Sequence, residues 1–202
     1  MTDDEKIVIP AGQRERQKWG LRWGLRLLKI PGLRWLGRGI VMGYLPECEK
    51  LGMQGGLKIM FGNIEAKGVS LCDTFFQDYA RVRIGEGTSF SYQCMVLTGQ
   101  HDFDNDFQTI IARPVEIGKH VWIASRVIIL GGSKIGDGSV IAAGSVVQGE
   151  IPAGVLAGGM PAKVIRKIAG GIKMSASMQG KKMDMKDAYD YAYESCESKD
   201  DD

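Results

Sequence analysis

The hydrophobic pattern in the centre of the chain repeats every six residues. Aliphatic residues recur at this interval without a slip, at Ile117, Ile123, Ile129, Ile135, Ile141 and Val147. A small or β-branched residue follows four positions after most of them, at Val121, Val127, Ser133, Ser139 and Ser145. An amphipathic helix needs apolar residues at a period of about 3.6, and alternation across about 35 residues exceeds ordinary strand length. The pattern therefore excludes a helix and a single strand.

A six-residue period predicts a solenoid in which each hexapeptide forms one flat face and one corner. Three hexapeptides then make a triangular turn of about 18 residues. Each inward aliphatic side chain stacks on the turn before it, which stabilises the fold by about 1.5–3 kcal/mol per side chain. The register extends upstream to Ile84 and becomes ragged before Asp78. We predict an all-β fold, a parallel β-helix domain over residues 57–168 with its last turn near residue 158.

One interruption of this period marks a candidate functional segment. The six-residue spacing breaks after Val96, and the polar residues 98–114 precede its return at Ile117. Insertions on a regular solenoid usually carry its binding surface. We therefore predict that an inserted loop at 98–114 protrudes from the coil and carries function. A purely structural solenoid stays open as the alternative.

The two ends of the chain differ in character from the repeat. Residues 1–56 form a basic segment, predicted to be short helices and irregular chain. Within it, residues 14–38 combine arginines with tryptophans, at Arg22, Arg26, Arg34, Arg38, Trp19, Trp23 and Trp35. This segment either contacts an anionic membrane surface peripherally or packs across the base of the β-helix. Residues 169–202 have too few aliphatic residues for a core, which predicts a disordered tail.

Length and charge narrow the remaining possibilities. A chain of 202 residues predicts one main domain. The net charge is only +2, and the basic segment contains no recognisable nucleic-acid module, so we expect no nucleic-acid partner. The four cysteines lack CxxC spacing, and no apolar run reaches the about 20 residues of a spanning helix. We expect reduced thiols in a cytoplasmic protein, at most peripheral at the inner face of the membrane.

Three segments carry a resemblance to a known family: TGQHDFDNDF, VEIGKHVWIASRVIILGGSKIGDGSVIAAGSVV and IPAGVLAGGMPAKVIRKI. They resemble the hexapeptide-repeat acyltransferases, which include galactoside, maltose, serine and nodulation-factor acetyltransferases. The first segment is most similar to the branch that acetylates exopolysaccharide sugars of the colanic acid type. The resemblance implies a left-handed parallel β-helix, a homotrimer with its active sites between neighbouring subunits, and acetyl-CoA as co-substrate. The implied acceptor is a sugar hydroxyl, with a non-sugar small molecule such as serine, or a non-catalytic trimeric scaffold, as alternatives.

Acetyl transfer to a hydroxyl requires a general base, and imidazole suits that task near neutral pH. The chain has two histidines: His101 lies in the insertion and matches the family's catalytic histidine, whereas His120 lies at a corner of a repeat. Asp102, Asp104 or a backbone carbonyl are open alternatives for the group that orients the imidazole. A zinc solenoid of the carbonic anhydrase type needs three histidines, so no metal is predicted.

The resemblance also implies positions for acetyl-CoA. The backbone N–H of Ser125 would bind the oxyanion, and Ser125 and Ala143 would line the pantetheine arm. Lys163 and Arg166 would lie near the phosphates. The alternative is a solvated basic turn after Met160-Pro161, because AKVIRK also has the character of a helix C-terminus.

Two further positions complete the implied site. Gln148 and Gly149, at a position that would contact the coenzyme, stand where many relatives carry Thr-Lys. One phosphate contact is then either lost, which weakens CoA binding, or made by a nearby residue such as Lys167. Trp122 is expected to pack in the core, with the lining of the cleft as the alternative.

Overall fold

The structure is a computed structural model that describes residues 6–9, 19–53 and 56–168. The predicted tail at 169–202 and the remaining residues of the N-terminal segment lie outside the described residues. The chain begins with strand β1 (Ile7–Ile9), helix α1 (Trp19–Leu27), a 3-10 turn (Pro31–Leu33) and helix α2 (Arg34–Gly43). Short strands make up most of the rest of the described chain.

The strands follow one another at nearly regular intervals. They are β2 (Cys48–Glu49), β3 (Gly52–Met53), β4 (Lys58–Ile59), β5 (Ile64–Lys67), β6 (Ser70–Cys72), β7 (Phe75–Gln77), β8 (Val82–Ile84), β9 (Ser89–Phe90), β10 (Met95–Leu97), β11 (Gly99–His101), β12 (Ile110–Ala112), β13 (Val115–Ile117), β14 (Trp122–Ile123), β15 (Ile128–Leu130), β16 (Lys134–Ile135), β17 (Val140–Ile141), β18 (Val146–Val147), β19 (Glu150–Ile151), β20 (Val155–Gly159) and β21 (Ala162–Lys167).

Every third strand of the coil joins the same parallel sheet. Sheet I has the order β2-β5-β8-β13-β16-β19, sheet II has β3-β6-β9-β14-β17-β20, and sheet III has β4-β7-β10-β15-β18. The chain therefore passes from sheet I to II to III in each turn, around a triangular prism. β21 folds back antiparallel on β20 and ends the coil. This architecture confirms the predicted all-β parallel β-helix.

The six-residue period corresponds to the inward positions of the coil. Ile123 pairs with Ile141 and Ile129 with Val147 in neighbouring turns, and all four side chains are fully buried. The serines four positions after the aliphatic residues are buried as well, because a small side chain fits the inner corner. Their hydroxyls donate to backbone carbonyls, at 2.7 Å from Ser139 Oγ to Pro152 O. Such hydrogen bonds offset the cost of burying the hydroxyl.

The coil starts earlier than residue 57, the boundary that the sequence indicates. Cys48 of β2 pairs with Ala66 of β5 in sheet I, so the first strands of the prism lie within the segment 1–56. Ile59 pairs with Phe76, 17 residues on, and Phe76 pairs with Val96, 20 residues on. These unequal turns hide the period upstream, because a fixed six-residue spacing fails wherever a corner gains or loses a residue.

The two helices close the base of the prism. Leu21, Leu25, Val41 and Leu45 are buried in the same hydrophobic cluster as the first turns of the coil. The helices also pack closely on each other, since a Cβ at Gly37 would lie 2.8 Å from the carbonyl oxygen of Gly24. Packing across the base, one of the two open interpretations of residues 14–38, is therefore observed for the leucine face. Neither described helix is long and apolar enough to span a membrane.

The outer faces of the sheets differ in chemistry. Sheet I carries a ladder of exposed ion pairs in which Arg83 bridges Glu65 and Glu116. Sheet III presents half-buried apolar side chains in its outward positions, at Phe75, Met95, Leu97, Ile128, Leu130 and Val146. Such a face is typical of a surface that is covered in an assembly.

Candidate functional site

The insertion forms a hairpin at the corner between sheets III and I. Its strands β11 and β12 pair antiparallel, with His101 opposite Ile110. The N-terminal strand β1 adds to β12 and makes a three-stranded sheet. At the base of the hairpin, the Thr98 hydroxyl donates to Gln77 O at 2.8 Å and accepts from Ala80 N at 3.0 Å. The predicted protrusion is therefore tied to the turn below it.

His101 is held by a single residue in two ways. Its Nδ1 lies 2.7 Å from the backbone carbonyl oxygen of Phe107, and the two rings are stacked with centroids 4.5 Å apart and planes 11° apart. A carbonyl oxygen only accepts hydrogen bonds, so Nδ1 carries the proton. The neutral imidazole then has its lone pair on Nε2, which is the arrangement that a general base needs.

The acids of the loop form turns instead of contacting the imidazole. The Asp102 carboxylate accepts from the backbone N–H groups of Asp104 and Asn105, both at 3.3 Å. The Asp106 carboxylate accepts from Gln108 N at 3.0 Å and from the Thr109 hydroxyl at 2.8 Å. These hydrogen bonds lower the pKa of Asp106 below its usual value. Of the three alternatives for orienting His101, the structure therefore has the backbone carbonyl.

The corner between sheets II and III carries Ser125 and, one turn further on, Ala143. The two positions are in register because Ile123 pairs with Ile141. The Ser125 hydroxyl lies 2.8 Å from the Ser91 hydroxyl, and its carbonyl accepts from Gly144 N at 3.0 Å. Within the described residues, the backbone N–H of Ser125 makes no hydrogen bond. An N–H that is free at a corner is available to bind an oxygen of a ligand.

Lys163 and Arg166 lie on strand β21, so AKVIRK is not a helix end. Lys163 pairs with Gly158 and Arg166 with Leu156, and the register shifts between them. In a regular strand, residues three apart face opposite sides. The bulge at Ile165 corrects this parity, because Gly158 and Leu156 are two apart. Both cations are exposed.

Trp122 is 51% exposed, so the expectation that it packs in the core is wrong. The physical reason is its position in the repeat, since its neighbours Val121 and Ile123 occupy the inward positions and are fully buried. Trp122 therefore lies on the outer face of sheet II, in register with Ser89 and Val140.

The predicted site residues lie along two different edges of sheet III. Ser125 and Ala143 are at its edge with sheet II, whereas His101 leaves the coil at its edge with sheet I. Gln148 and Gly149 also lie at this second edge, immediately after β18. One chain therefore does not bring the imidazole to the Ser125 corner. Among the described residues, no group of three or more His, Cys, Asp or Glu side chains is placed to hold a metal ion.

A triangular parallel coil with an inserted hairpin is the architecture of hexapeptide-repeat transferases, and known proteins of that class match this chain in sequence and in structure. The family signature described as bacterial transferase hexapeptide (six repeats) matches residues 114–149. WcaF of Escherichia coli (strain K12), named as a colanic acid biosynthesis acetyltransferase, is 40% identical over 146 residues, which cover 72% of this chain and 75% of WcaF. The chain belongs to the hexapeptide-repeat acetyltransferases.

Solved structures resemble the same part of the fold. The maltose O-acetyltransferase of Clostridium difficile 630 superposes with a TM-score of 0.67 at 28% identity, covering 73% of this chain and 84% of that one. The hexapeptide-repeat acetyltransferase VCA0836 of Vibrio cholerae, in complex with acetyl coenzyme A, superposes with a TM-score of 0.60 at 25% identity. That match covers 73% of this chain and 87% of the other.

Sequence reasoning missed Phe107 and Asp106. Phe107 supplies the carbonyl and the stacked ring for His101, and Asp106 forms the turn that presents this carbonyl. A signal for the turn was available, because Asp favours turns in which its side chain accepts from the backbone two residues on, as Asp106 does from Gln108. The contact between Phe107 and His101 has no sequence signal, since it depends on how the two strands of the hairpin pair.

Proposed function

We propose that this protein is an O-acetyltransferase that moves the acetyl group of acetyl-CoA to a hydroxyl of a sugar or polysaccharide precursor, with His101 as general base. Family membership carries the coarser part of this conclusion: the chain is an acetyl-CoA-dependent acyltransferase. The observation that supports the role of His101 is its hydrogen bond to Phe107 O, because this bond leaves Nε2 free to accept a proton.

The residues of the chain divide the chemistry between them. Nε2 of His101 takes the proton from the acceptor hydroxyl as its oxygen forms a bond to the thioester carbon. The Ser125 N–H stabilises the negative charge that develops on the carbonyl oxygen. When the carbon–sulfur bond breaks, the imidazolium returns the proton to the leaving thiolate. General base and oxyanion donor each contribute about two to three powers of ten in rate.

The outer faces of the prism support a homotrimer. In the proposed homotrimer, each subunit turns its apolar sheet III towards a three-fold axis and its charged sheet I towards solvent. Neighbouring subunits then meet along opposite edges of sheet III. This arrangement brings the His101 hairpin of one subunit to the Ser125 corner of the next. The imidazole and the corner, which are apart in a single chain, then lie close together.

The coenzyme would extend along this subunit boundary. In the proposal, Ser125 and Ala143 line the pantetheine arm, and Lys163 and Arg166 bind the phosphates. The bulge in β21 supports this role, because it leaves both cations on one face of the strand. Gln148 and Gly149 carry no positive charge, so the cations that contact the phosphates come from β21. Trp122, exposed on sheet II, is available to cover the arm.

The acceptor class rests on the relatives and on the hairpin. WcaF is named for colanic acid biosynthesis, and the solved structure with a TM-score of 0.67 is a maltose O-acetyltransferase. Beside His101, the hairpin exposes the rings of Phe107 and Phe103, which are 61% and 73% accessible. Flat apolar surface next to a base suits the C–H face of a sugar ring.

Acetyl-CoA turnover tests the proposal. The protein is incubated with acetyl-CoA and a panel of nucleotide sugars, polysaccharide fragments and serine, and free CoA thiol is measured. We expect thiol release with a sugar acceptor, lost by at least about a hundredfold in His101→Ala. The matched control is His120→Ala, because the chain's other histidine is exposed at the corner between sheets I and II. Release with serine alone would overturn the sugar assignment, and undiminished release by His101→Ala would overturn the base.

A further inference from the structure

The helix pair at the base of the prism has a second face that the fold does not use. In α1, Leu21 and Leu25 are buried against the coil, whereas Trp19 and Trp23 are 75% and 51% exposed. Trp19 and Trp23 are four residues apart, so both project from the same side of the helix, opposite to the leucines. Packing across the base therefore accounts for the leucines of this segment but not for its tryptophans.

The connection and α2 carry further exposed apolar side chains. Trp35 is 74% exposed, and Ile30, Leu33 and Leu36 are between 37% and 48% exposed. Single exposed apolar residues are normal on a protein surface, but six large ones within residues 19–36 are a concentration that indicates an interaction site. We call the exposed side chains of residues 19–38 the tryptophan face.

The charge of this surface has one sign only. Residues 19–46 contain five cations, Arg22, Arg26, Lys29, Arg34 and Arg38, and no acid. None of the five forms an ion pair within the described residues, whereas cations on sheet I are paired with glutamates. The Arg26 guanidinium instead lies 5.3 Å over the Trp23 ring, a cation–π contact that keeps its charge beside an aromatic plane.

We propose that the tryptophan face docks on an anionic lipid bilayer. Tryptophan favours the boundary between headgroups and acyl chains, and cations near an anionic surface each contribute about 1 kcal/mol to binding. The exposed aliphatic side chains select a bilayer over a nucleic acid, because a phosphodiester backbone offers them no apolar contact. A second copy of the same face would oppose five cations with five cations, which disfavours self-association here.

The docking proposal does not depend on the acetyl-transfer reaction. If the face docks, acetyl transfer takes place at the membrane surface. The helices lie at the end of the prism where the coil begins, and they are joined to the domain by their buried leucines. Docking through this end leaves the hairpin and the sheet edges accessible to substrates.

Sedimentation of the full chain with vesicles tests the docking. Vesicles of phosphatidylcholine alone are compared with vesicles that also contain phosphatidylglycerol, and bound protein and tryptophan emission are measured. We expect binding and a blue-shifted emission only with the anionic vesicles. Arg22→Gln with Arg26→Gln lowers the partition coefficient roughly 30-fold, since about 1 kcal/mol per cation is about fivefold each. The matched control, Lys119→Gln with Lys134→Gln, removes two exposed charges further along the coil and leaves binding unchanged.

A second variant keeps the test independent of charge. Trp19→Ala with Trp23→Ala removes two of the three exposed rings of this face, so it weakens binding, leaves only the smaller emission shift of Trp35 and preserves the far-ultraviolet circular dichroism spectrum. Three results would overturn the proposal: no binding to anionic vesicles at low salt, equal binding to both kinds of vesicle, or a change in oligomeric mass in the tryptophan variant. Retention of a nucleic acid that survives in the control but not in the arginine variant would assign the face to that partner instead.

Discussion

Asp78 offers the sharpest test of how the His101 hairpin is anchored. Its side chain is fully buried, and its carboxylate accepts four backbone N–H groups of the turn at residues 60–63, at distances from 2.6 to 3.1 Å. Asp78 follows β7, and the next strand of sheet III leads to Thr98, where the hairpin leaves the coil. This carboxylate therefore fixes the corner on which the hairpin stands.

The substitution Asp78→Asn removes the acceptor from two of these four N–H groups. An amide has one oxygen and one NH₂ group, so two of the four N–H groups face a donor. Each hydrogen bond to a charged acceptor contributes about 1.5–3 kcal/mol, which gives a loss of about 3–6 kcal/mol. This is a large part of the about 5–15 kcal/mol that stabilises a domain. With a urea m-value of about 2 kcal/mol/M, the midpoint falls by about 1.5–3 M.

The assay is urea unfolding at one fixed subunit concentration, because the proposed trimer would add to the measured stability. Asp137→Asn is the matched control: Asp137 is exposed at another corner and accepts a single N–H, from Lys119 at 2.8 Å. Its expected cost is below about 1 kcal/mol. Equal midpoints for the two variants would refute the reasoning, since burial and the number of donors would then have no effect.

Two further predictions concern the hairpin and a buried thiol. Asp106→Ala releases the turn that presents Phe107 O to His101, so kcat falls by about 10- to 100-fold while the melting temperature of this exposed site stays the same; an unchanged kcat in steady-state kinetics would count against it. Burial raises the pKa of the Cys48 thiol to about 11, above its usual value near 9.0. The unfolded thiol therefore loses its proton first, and about 2–3 kcal/mol of stability, present below about pH 9, is lost towards about pH 11. Urea unfolding at a series of pH values should show a shallower alkaline loss in Cys48→Ala, and parallel curves would contradict this.

The repeat was predictable from sequence because each inward position must be filled by one side chain per face. Ile117 to Val147 keep a strict spacing, since the corners between them are equally long. The first residue of the coil was not predictable, because the turns of 17 and 20 residues around Phe76 break the six-residue period. Local pattern specifies a solenoid only where its corners are uniform.

The candidate site was predictable as residue types but not as contacts. His101 stands out as a histidine in the one polar insertion, whereas its partner, a backbone carbonyl, has no sequence signature. The burial of Trp122 was predicted wrongly. Its aromatic character indicated the core, whereas its position in the hexapeptide places it on the outer face. Position within the repeat predicts orientation better than hydrophobicity does, since inward and outward positions alternate along each face.

Complementation between two inactive variants tests whether the imidazole and the coenzyme corner come from different subunits. His101→Ala removes the base, and Ala143→Trp fills the exposed corner beside Ser125. Each variant alone is expected to be inactive. Co-expression of both should restore acetyl transfer at about one quarter of the sites, because random mixing in the proposed trimer pairs an intact hairpin with an intact neighbouring corner that often. Activity that stays at the level of the single variants would place both halves of the site in one chain and contradict the shared-site account.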